Sequence, residues 1–275
     1  MNKIVKVLFV ISIIIIVGGI MMCYPYNCSK KIVKAIQDKS MSVEDFSCVV
    51  DMNKRGVNTL QYFLPIWEFM DEPNYYPIHY ACKSGDLEKV KILLEAGANP
   101  NLRDHTTNST PLLFALQSGK EGRFMIADML LDYGASPTES DKWSSPLFSS
   151  LIIVDAFDRK SQEKQSVELL KRLLESVPST DDPSGANTLL GEAAAFGNTQ
   201  AMEYILDNNI NKINDVSSIG RTALMSSVLA HDNAKICKYL INSGAKKDIK
   251  DMNGKTAYDY AVELERPKCA AECKP

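Results

Sequence analysis

Three histidines and seven cysteines have the widest chemical repertoire among the side chains of this 275-residue sequence, and neither set is spaced for catalysis. His79 stands in "YPIHYA", His105 in a polar stretch, and His231 at a break between two apolar segments. There is no HExxH helix, zinc-type cysteine pairing, GxSxG turn or glycine-rich phosphate cradle, so the usual residues of metal hydrolysis, acyl transfer and nucleotide chemistry are missing. The acidic residues are scattered over helix faces, where solvent is their ordinary partner. The chain therefore reads as a non-enzyme with no cofactor and no metal. Cys23 with Cys28, and Cys269 with Cys273, are close enough in sequence to pair after export, although the step from Cys269 to Cys273 equally describes one helix face. Cys82 and Cys237 interrupt apolar runs and read as small buried residues.

The elements that would position these residues are short. Residues 75–101, "YYPIHYACKSGDLEKVKILLEAGANPN", contain two helical pieces parted by Ser84-Gly85-Asp86 and stopped at Gly97-Ala98. Helices of two or three turns are marginal alone in water, so each must bury its apolar stripe against a neighbour. Copies supply the neighbours: from Pro77, the markers Pro111, Pro146, Leu189, Ala223 and Ala257 follow at steps of 34, 35, 43, 34 and 34 residues, the period of an array of helix pairs. Thr110, Ser145, Thr188, Thr222 and Thr256 precede these markers as N-caps, and only Tyr76 departs from the pattern. The breaks Phe196-Gly197-Asn198 and Ala230-His231-Asp232 match Ser84-Gly85-Asp86, with Gly for a left-handed turn and Asp or Asn to cap the second helix. The second helices carry apolar trios that predict a core: Val90, Leu93 and Leu94; Ala127, Leu130 and Leu131; Leu170, Leu173 and Leu174; Met202, Ile205 and Leu206; Cys237, Leu240 and Ile241.

With these residues in view, "YPIHYACKSGDLEKVKILLEAGANPN" and "TALMSSVLAHDNAKICKYLINSGAKKDI" resemble ankyrin repeats, whose pattern is TPLHxAAxxG, a second helix and a GAdxN exit. The resemblance covers about residues 72–262 and implies an all-α solenoid of five to six helix-turn-helix repeats. The repeats fall near 72–105, 106–140, 141–183, 184–217 and 218–251, with a partial copy at 252–275 whose charged tail suits a terminal cap. Copy three has Ser176-Val177-Pro178 where Gly-Ala is expected, and carries an extra "DAFDRKSQEKQS" at 155–166, polar enough for a solvated loop. Copy four puts Asn209 at the Gly place, which Asn tolerates. Residues 30–71 read as a divergent helical N-terminal cap, with candidates "KKIVKAIQDK" and "SVEDFSCVV" and a helix start at Thr59-Leu60. The resemblance also gives His79 a structural role, its ring hydrogen-bonding neighbouring turns.

Residues 1–29 hold an uncharged run from Val7 to Cys23, roughly 25 Å long as a helix, which just crosses a bilayer core. Lys3 and Lys6 before it predict a single-pass inner-membrane helix with the repeat domain facing the periplasm. The alternative is a secreted protein or lipoprotein cleaved near Cys23. The formal net charge of −3 leaves no electrostatic footprint for nucleic acid.

Stacked repeats expose a long surface made of first helices and the fingers preceding them, so the partner implied is another protein, bound one-to-one by a monomer. On the family register the outward positions include Tyr80, Lys83, Phe114, Gln117, Ile152, Glu192, Phe196 and Leu229. Interfaces draw most of their energy from a few aromatics and arginines, which singles out Trp143, Tyr80, Phe114 and Phe196, with Arg103 and Arg221 in the fingers. Phe114 and Phe196 serve equally well as filling between repeats. The functional expectation is a non-catalytic scaffold displayed from a membrane, of the kind that sequesters a secreted toxin or effector as an immunity protein. The alternative is an adaptor that tethers a resident envelope protein or enzyme.

Overall fold

The computed structural model describes residues 31–38, 40–52, 76–142, 144–153, 158–176 and 187–275. The chain divides into two compact units, Met1–Ala135 and Ser136–Pro275. The first contains α1 (31–37), α2 (Val43–Met52), α3 (Pro77–Ser84), α4 (Leu87–Glu95), α5 (Pro111–Gln117) and α6 (Arg123–Asp132). The second contains α7 (Pro146–Ser149), α8 (Arg159–Leu174), α9 (Leu189–Ala195), α10 (Thr199–Asp207), α11 (Ala223–Ala230), α12 (Ala234–Asn242), α13 (Ala257–Glu263) and α14 (Pro267–Cys273).

Each first helix starts where a hydroxyl takes over an orphan N–H. The side chains of Thr110, Ser145, Thr188 and Thr222 accept from the backbone three residues on, and Thr256 forms a reciprocal capping box with Asp259. Tyr76 makes no such bond, and there Pro77, with no N–H to satisfy, opens the helix. Within the first unit α3 packs on α5, α4 on α6 and α2 on α4, so first and second helices form two layers. Ile78, Leu112 and Leu116 of one layer and Val90, Leu93, Ile126 and Leu130 of the other are fully buried, each such side chain contributing roughly 1.5–3 kcal/mol. In the second unit α9 packs on α11 and α11 on α13, while α8 meets α10 and α12 meets α14.

The apolar trios are core at their first two places in every copy, but the third place (Leu131, Leu174, Leu206, Ile241) is only half-buried outside the first copy. Asn209 does take the left-handed conformation, with φ 54°. The expected solvated loop at 155–166 needs correction: α8 begins at Arg159, and Gln162, Glu163 and Ser166 of this polar stretch are buried. Its polar groups are held by fixed internal partners instead of water. Ser166 Oγ donates to the Ser150 carbonyl at 2.6 Å, and Thr199 Oγ1 donates to Glu163 Oε2 at 2.8 Å. The cap of α12 is Asn233, not Asp232. Asp232 instead accepts from the backbone N–H of Cys269 at 2.9 Å, at the start of α14, so the charged tail completes a sixth helix pair after α2.

The membrane span is also corrected. No helix among the described residues is long and apolar enough to cross a membrane, and the expected span at 7–23 lies outside the described residues. The all-α fold of the described residues thus includes no transmembrane helix, which contradicts the single-pass inner-membrane placement expected from the sequence. Thr59-Leu60, Val177-Pro178 and Trp143 also lie outside the described residues.

Candidate protein-binding site

The fingers and turns of the first unit are fixed by polar side chains at recurring places. In the finger before α5, Asp104 accepts from the N–H groups of Thr106 and Thr107 at 2.8 Å and of Ser109 at 2.7 Å. Burial pushes its pKa up, but the hydrogen bonds from Thr107, Ser109 and Thr106 outweigh this and hold the carboxyl below its ordinary value. In the second unit Asp141 accepts from Ser144 N–H at 2.7 Å, and Asp251 from the N–H groups of Asn253 at 2.9 Å and Lys255 at 3.0 Å. Sequence reasoning passed over these aspartates, although each sits four to six residues ahead of an N-cap. Asn101 Nδ2 donates to the Gly134 carbonyl at 2.9 Å, tying the exit of one repeat to the next. His79 is buried with Nε2 3.3 Å from the Ser109 carbonyl, and its ring lies edge-on to Phe114 at 4.8 Å between centroids. Burial lowers the His79 pKa to about 4, so the ring is neutral at pH 7.

Below this layer, at the turns, a cleft of about 820 Å³ opens between the end of α1, the α3–α4 turn and the α5–α6 turn. Tyr80 and Lys83 of α3 line it together with Ser84, Asp86, Lys89 and Lys120. Asp86 caps α4 by accepting from Lys89 N–H at 3.1 Å. Lys89 is buried, its Nζ donating to the carbonyls of Ile36 at 3.2 Å and Asp38 at 3.1 Å, and it stands 5.5 Å above the Phe46 ring. A cation at orphan C-terminal carbonyls complements the helix dipole, so Lys89 fixes α1 as the cleft's far wall. Gly85 is left-handed (φ 78°), and a Cβ there would stand 2.5 Å from Lys120 Cβ; only glycine lets the α5–α6 turn approach this closely. Buried Lys89 pairs with Asp86 at 3.6 Å, which leaves exposed Lys83 and Lys120, beside the half-buried Tyr80, to make the cleft basic.

Of the residues picked from sequence, Tyr80 and Lys83 share this cleft, and exposed Gln117 precedes its lining residue Ser118. Phe114 is half-buried against His79. Arg103 Nη1 donates to the Asn108 carbonyl at 2.8 Å and so braces its own finger. In the second unit, Glu192 accepts from Asn187 Nδ2 at 2.8 Å, and Arg221 is half-buried in the finger closed by the Ser217 N–H bond to its carbonyl at 2.9 Å. Phe196 lines a smaller cavity of about 210 Å³ with Arg159 and Gly197. Lys89 and Lys120 were not foreseen. The signal existed: Ser118-Gly119-Lys120 repeats Ser84-Gly85-Asp86 after 34 residues, marking both as one kind of turn.

The family model for ankyrin repeats (3 copies) matches residues 47–141 and 160–251. The chain belongs to the ankyrin-repeat family. This ankyrin-repeat chain is 24% identical over 203 residues to "Putative palmitoyltransferase ZDHHC13" of Danio rerio, a match covering 72% of the chain but 29% of that protein. The chain thus corresponds to less than a third of that relative. Among solved structures it is similar to the ankyrin-repeat protein EF0377 (25% identity, TM-score 0.51, covering 71% of this chain and 94% of that one). It also shares its fold with the ankyrin-repeat domain of human ASB11 (19% identity, TM-score 0.60, covering 89% and 98%). The ankyrin-repeat chain is a protein-binding scaffold, and its described residues contain no group of three metal-ligating side chains placed to hold an ion.

Proposed function

We propose that the chain is a non-catalytic capture scaffold that takes an acidic segment of a partner protein into the lysine-lined cleft of its first unit. The observation that carries this reading is the cleft itself: Lys83 and Lys120 flank it, Tyr80 offers a ring, and Lys89 anchors its wall. Basic groups at a rim steer and select an acidic partner, while a half-buried aromatic supplies desolvated contact. Trp143, in the segment "DKWSSP", is proposed as a second contact. In its specific form the partner is a toxin or effector neutralised one-to-one.

The test is affinity purification of the tagged full chain from its source cells beside the Lys83→Glu/Lys120→Glu and Trp143→Ala variants. The expected result is a stoichiometric partner recovered by the wild type and lost from the charge-reversed variant, with unfolding midpoints unchanged. Equal recovery by both would refute the cleft as the site. For the toxin reading, co-expression with the product of a neighbouring gene should relieve that product's toxicity, and absence of protection would reject it.

A further inference from the structure

Three cysteines converge in the last two helix pairs, and neither the repeat pattern nor partner capture uses them. Cys237 of α12 and Cys269 and Cys273 of α14 are all fully buried. The Sγ atoms of Cys237 and Cys269 are 2.7 Å apart, although the residues are 32 apart in sequence. A disulfide is about 2.05 Å long, so bonding requires less than about 1 Å of closure. Cys237 also makes a side-chain hydrogen bond with Cys273, which holds the Cys273 thiol below its ordinary pKa. The hydrogen bond to Cys269 lowers Cys237, but that to Cys273 and burial push it up to about 11. The Cys237 contact and burial hold Cys269 above its ordinary value, so only a small fraction of either is thiolate at pH 7. Around the cluster, Ser227 Oγ lies 3.7 Å from Cys237 Sγ, and Cys269 Sγ is 3.6 Å from the His231 carbonyl. The site is rigidly built. Asp232 accepts from Cys269 N–H at 2.9 Å, and Arg266 donates through Nη1 to the Val228 carbonyl, so both α14 and its approach are tied to the preceding pair. The four-residue spacing of Cys269 and Cys273 allows either a pairing of the two or one helix face, and both lie on α14. The fold turns Cys269 toward Cys237.

We propose that Cys237 and Cys269 form a thiol modification site that a hydroperoxide oxidises reversibly to a disulfide, stapling α14 to α12, with Cys273 as the neighbouring thiol that reopens it by exchange. In the forward step one thiolate attacks the hydroperoxide, the O–O bond breaks, and the alcohol (or water, from hydrogen peroxide) leaves, generating a sulfenic acid. The second thiol attacks that sulfur, the S–S bond forms, and water departs with the proton; two thiols lose two electrons and two protons in all. In the reverse step the Cys273 thiolate displaces one sulfur, and an external dithiol resolves the resulting bond and carries away the two electrons. Oxidation closes a loop from residue 237 to residue 269 and restrains the terminal pair in the unfolded ensemble.

The test treats the full-length protein with hydrogen peroxide or dithiothreitol, blocks remaining thiols after denaturation, and maps cross-links by proteolysis and mass spectrometry. The expected product lacks two hydrogen atoms, joins Cys237 to Cys269, persists in Cys273→Ser and is lost in Cys269→Ser. Its unfolding midpoint is higher than that of the reduced protein by about 5 °C or more, and dithiothreitol reverses the rise. In Cys273→Ser the cross-link should form as in wild type but open at least several-fold more slowly. Thiols that all remain blockable after peroxide, or a cross-link to Cys273 that forms in place of the one to Cys269, would overturn the proposal. The wild-type map is decisive even if Cys269→Ser fails to fold.

Discussion

The turn between α3 and α4 and the turn between α9 and α10 share one local design and have opposite surroundings. Each ends a first helix on a left-handed glycine, Gly85 (φ 78°) or Gly197 (φ 61°), and starts the second helix on a capping side chain, Asp86 or Asn198. At the first turn a lysine-lined cleft of about 820 Å³ lies open. At the second, Arg159 Nη2 donates to the carbonyls of Phe196 at 2.8 Å and Gly197 at 2.7 Å, and Arg159 Nε pairs with Glu163 at 3.1 Å. Asn198 is fully buried and donates to Ser166 Oγ at 2.8 Å and to the Leu151 carbonyl at 3.4 Å. Residues 159–166 of the stretch added in copy three form the first turns of α8, from which Arg159 reaches the second turn. The same turn is thus an open edge among the described residues of the first unit, available to the proposed partner, and a structural joint where α8 reaches it in the second.

The sharpest break of this contrast is the pair Asn198→Ala and Asp86→Ala. Asn198→Ala loses a cap and strands buried partners, and should cost about 2–4 kcal/mol; Asp86→Ala, at a half-exposed cap, should cost about 1 kcal/mol, both read from chemical unfolding. Arg159→Ala removes charge-assisted bonds to two carbonyls and should cost about 1.5–3 kcal/mol, with faster amide exchange at the start of α10. Acid should distinguish the units in another way. The pKa of His79 is lowered to about 4 in the folded chain from an unfolded value near 6.5, so the unfolded state binds the proton first. Stability then falls as pH drops from about 6.5 toward 4, by roughly 2 kcal/mol at pH 5. The equivalent N-cap-plus-three places of the second unit hold Phe148, Gly191, Met225 and Asp259, so hydrogen exchange at pH 5 should loosen the first unit around α3 before α9 and α11. The smallest stability effect belongs to Lys83→Glu/Lys120→Glu, within about 0.5 kcal/mol, because both side chains are exposed.

Local chemistry made the repeat boundaries legible. Thr110, Thr188 and Thr222 announce helix starts because a cap bond spans only three residues, and Asn209 announces a left-handed exit because its own backbone preference permits it. What stayed hidden depends on partners distant in sequence. Arg159, Glu163 and Ser166 are polar and read as solvated, but their partners are distant in sequence: the Phe196 carbonyl for half-buried Arg159, the Thr199 hydroxyl for Glu163, and the Ser150 carbonyl and Asn198 side chain for Ser166. That Cys269 faces Cys237, 32 residues away, was hidden for the same reason: its spacing to Cys273 allowed only a local pairing or a shared helix face to be read. Tyr80 and Lys83 could be named as outward-facing, but the cleft they share needs the α5–α6 turn, brought within contact by Gly85.

The central claim is that the open turn of the first unit contacts the partner and the filled turn of the second does not. A photoreactive benzophenone side chain placed at exposed Ser84, and in a second protein at half-exposed Ala195, tests it directly in the source cells. The account predicts a covalent partner adduct from position 84 and none from position 195; adducts from 195 alone, or equally from both, would contradict it.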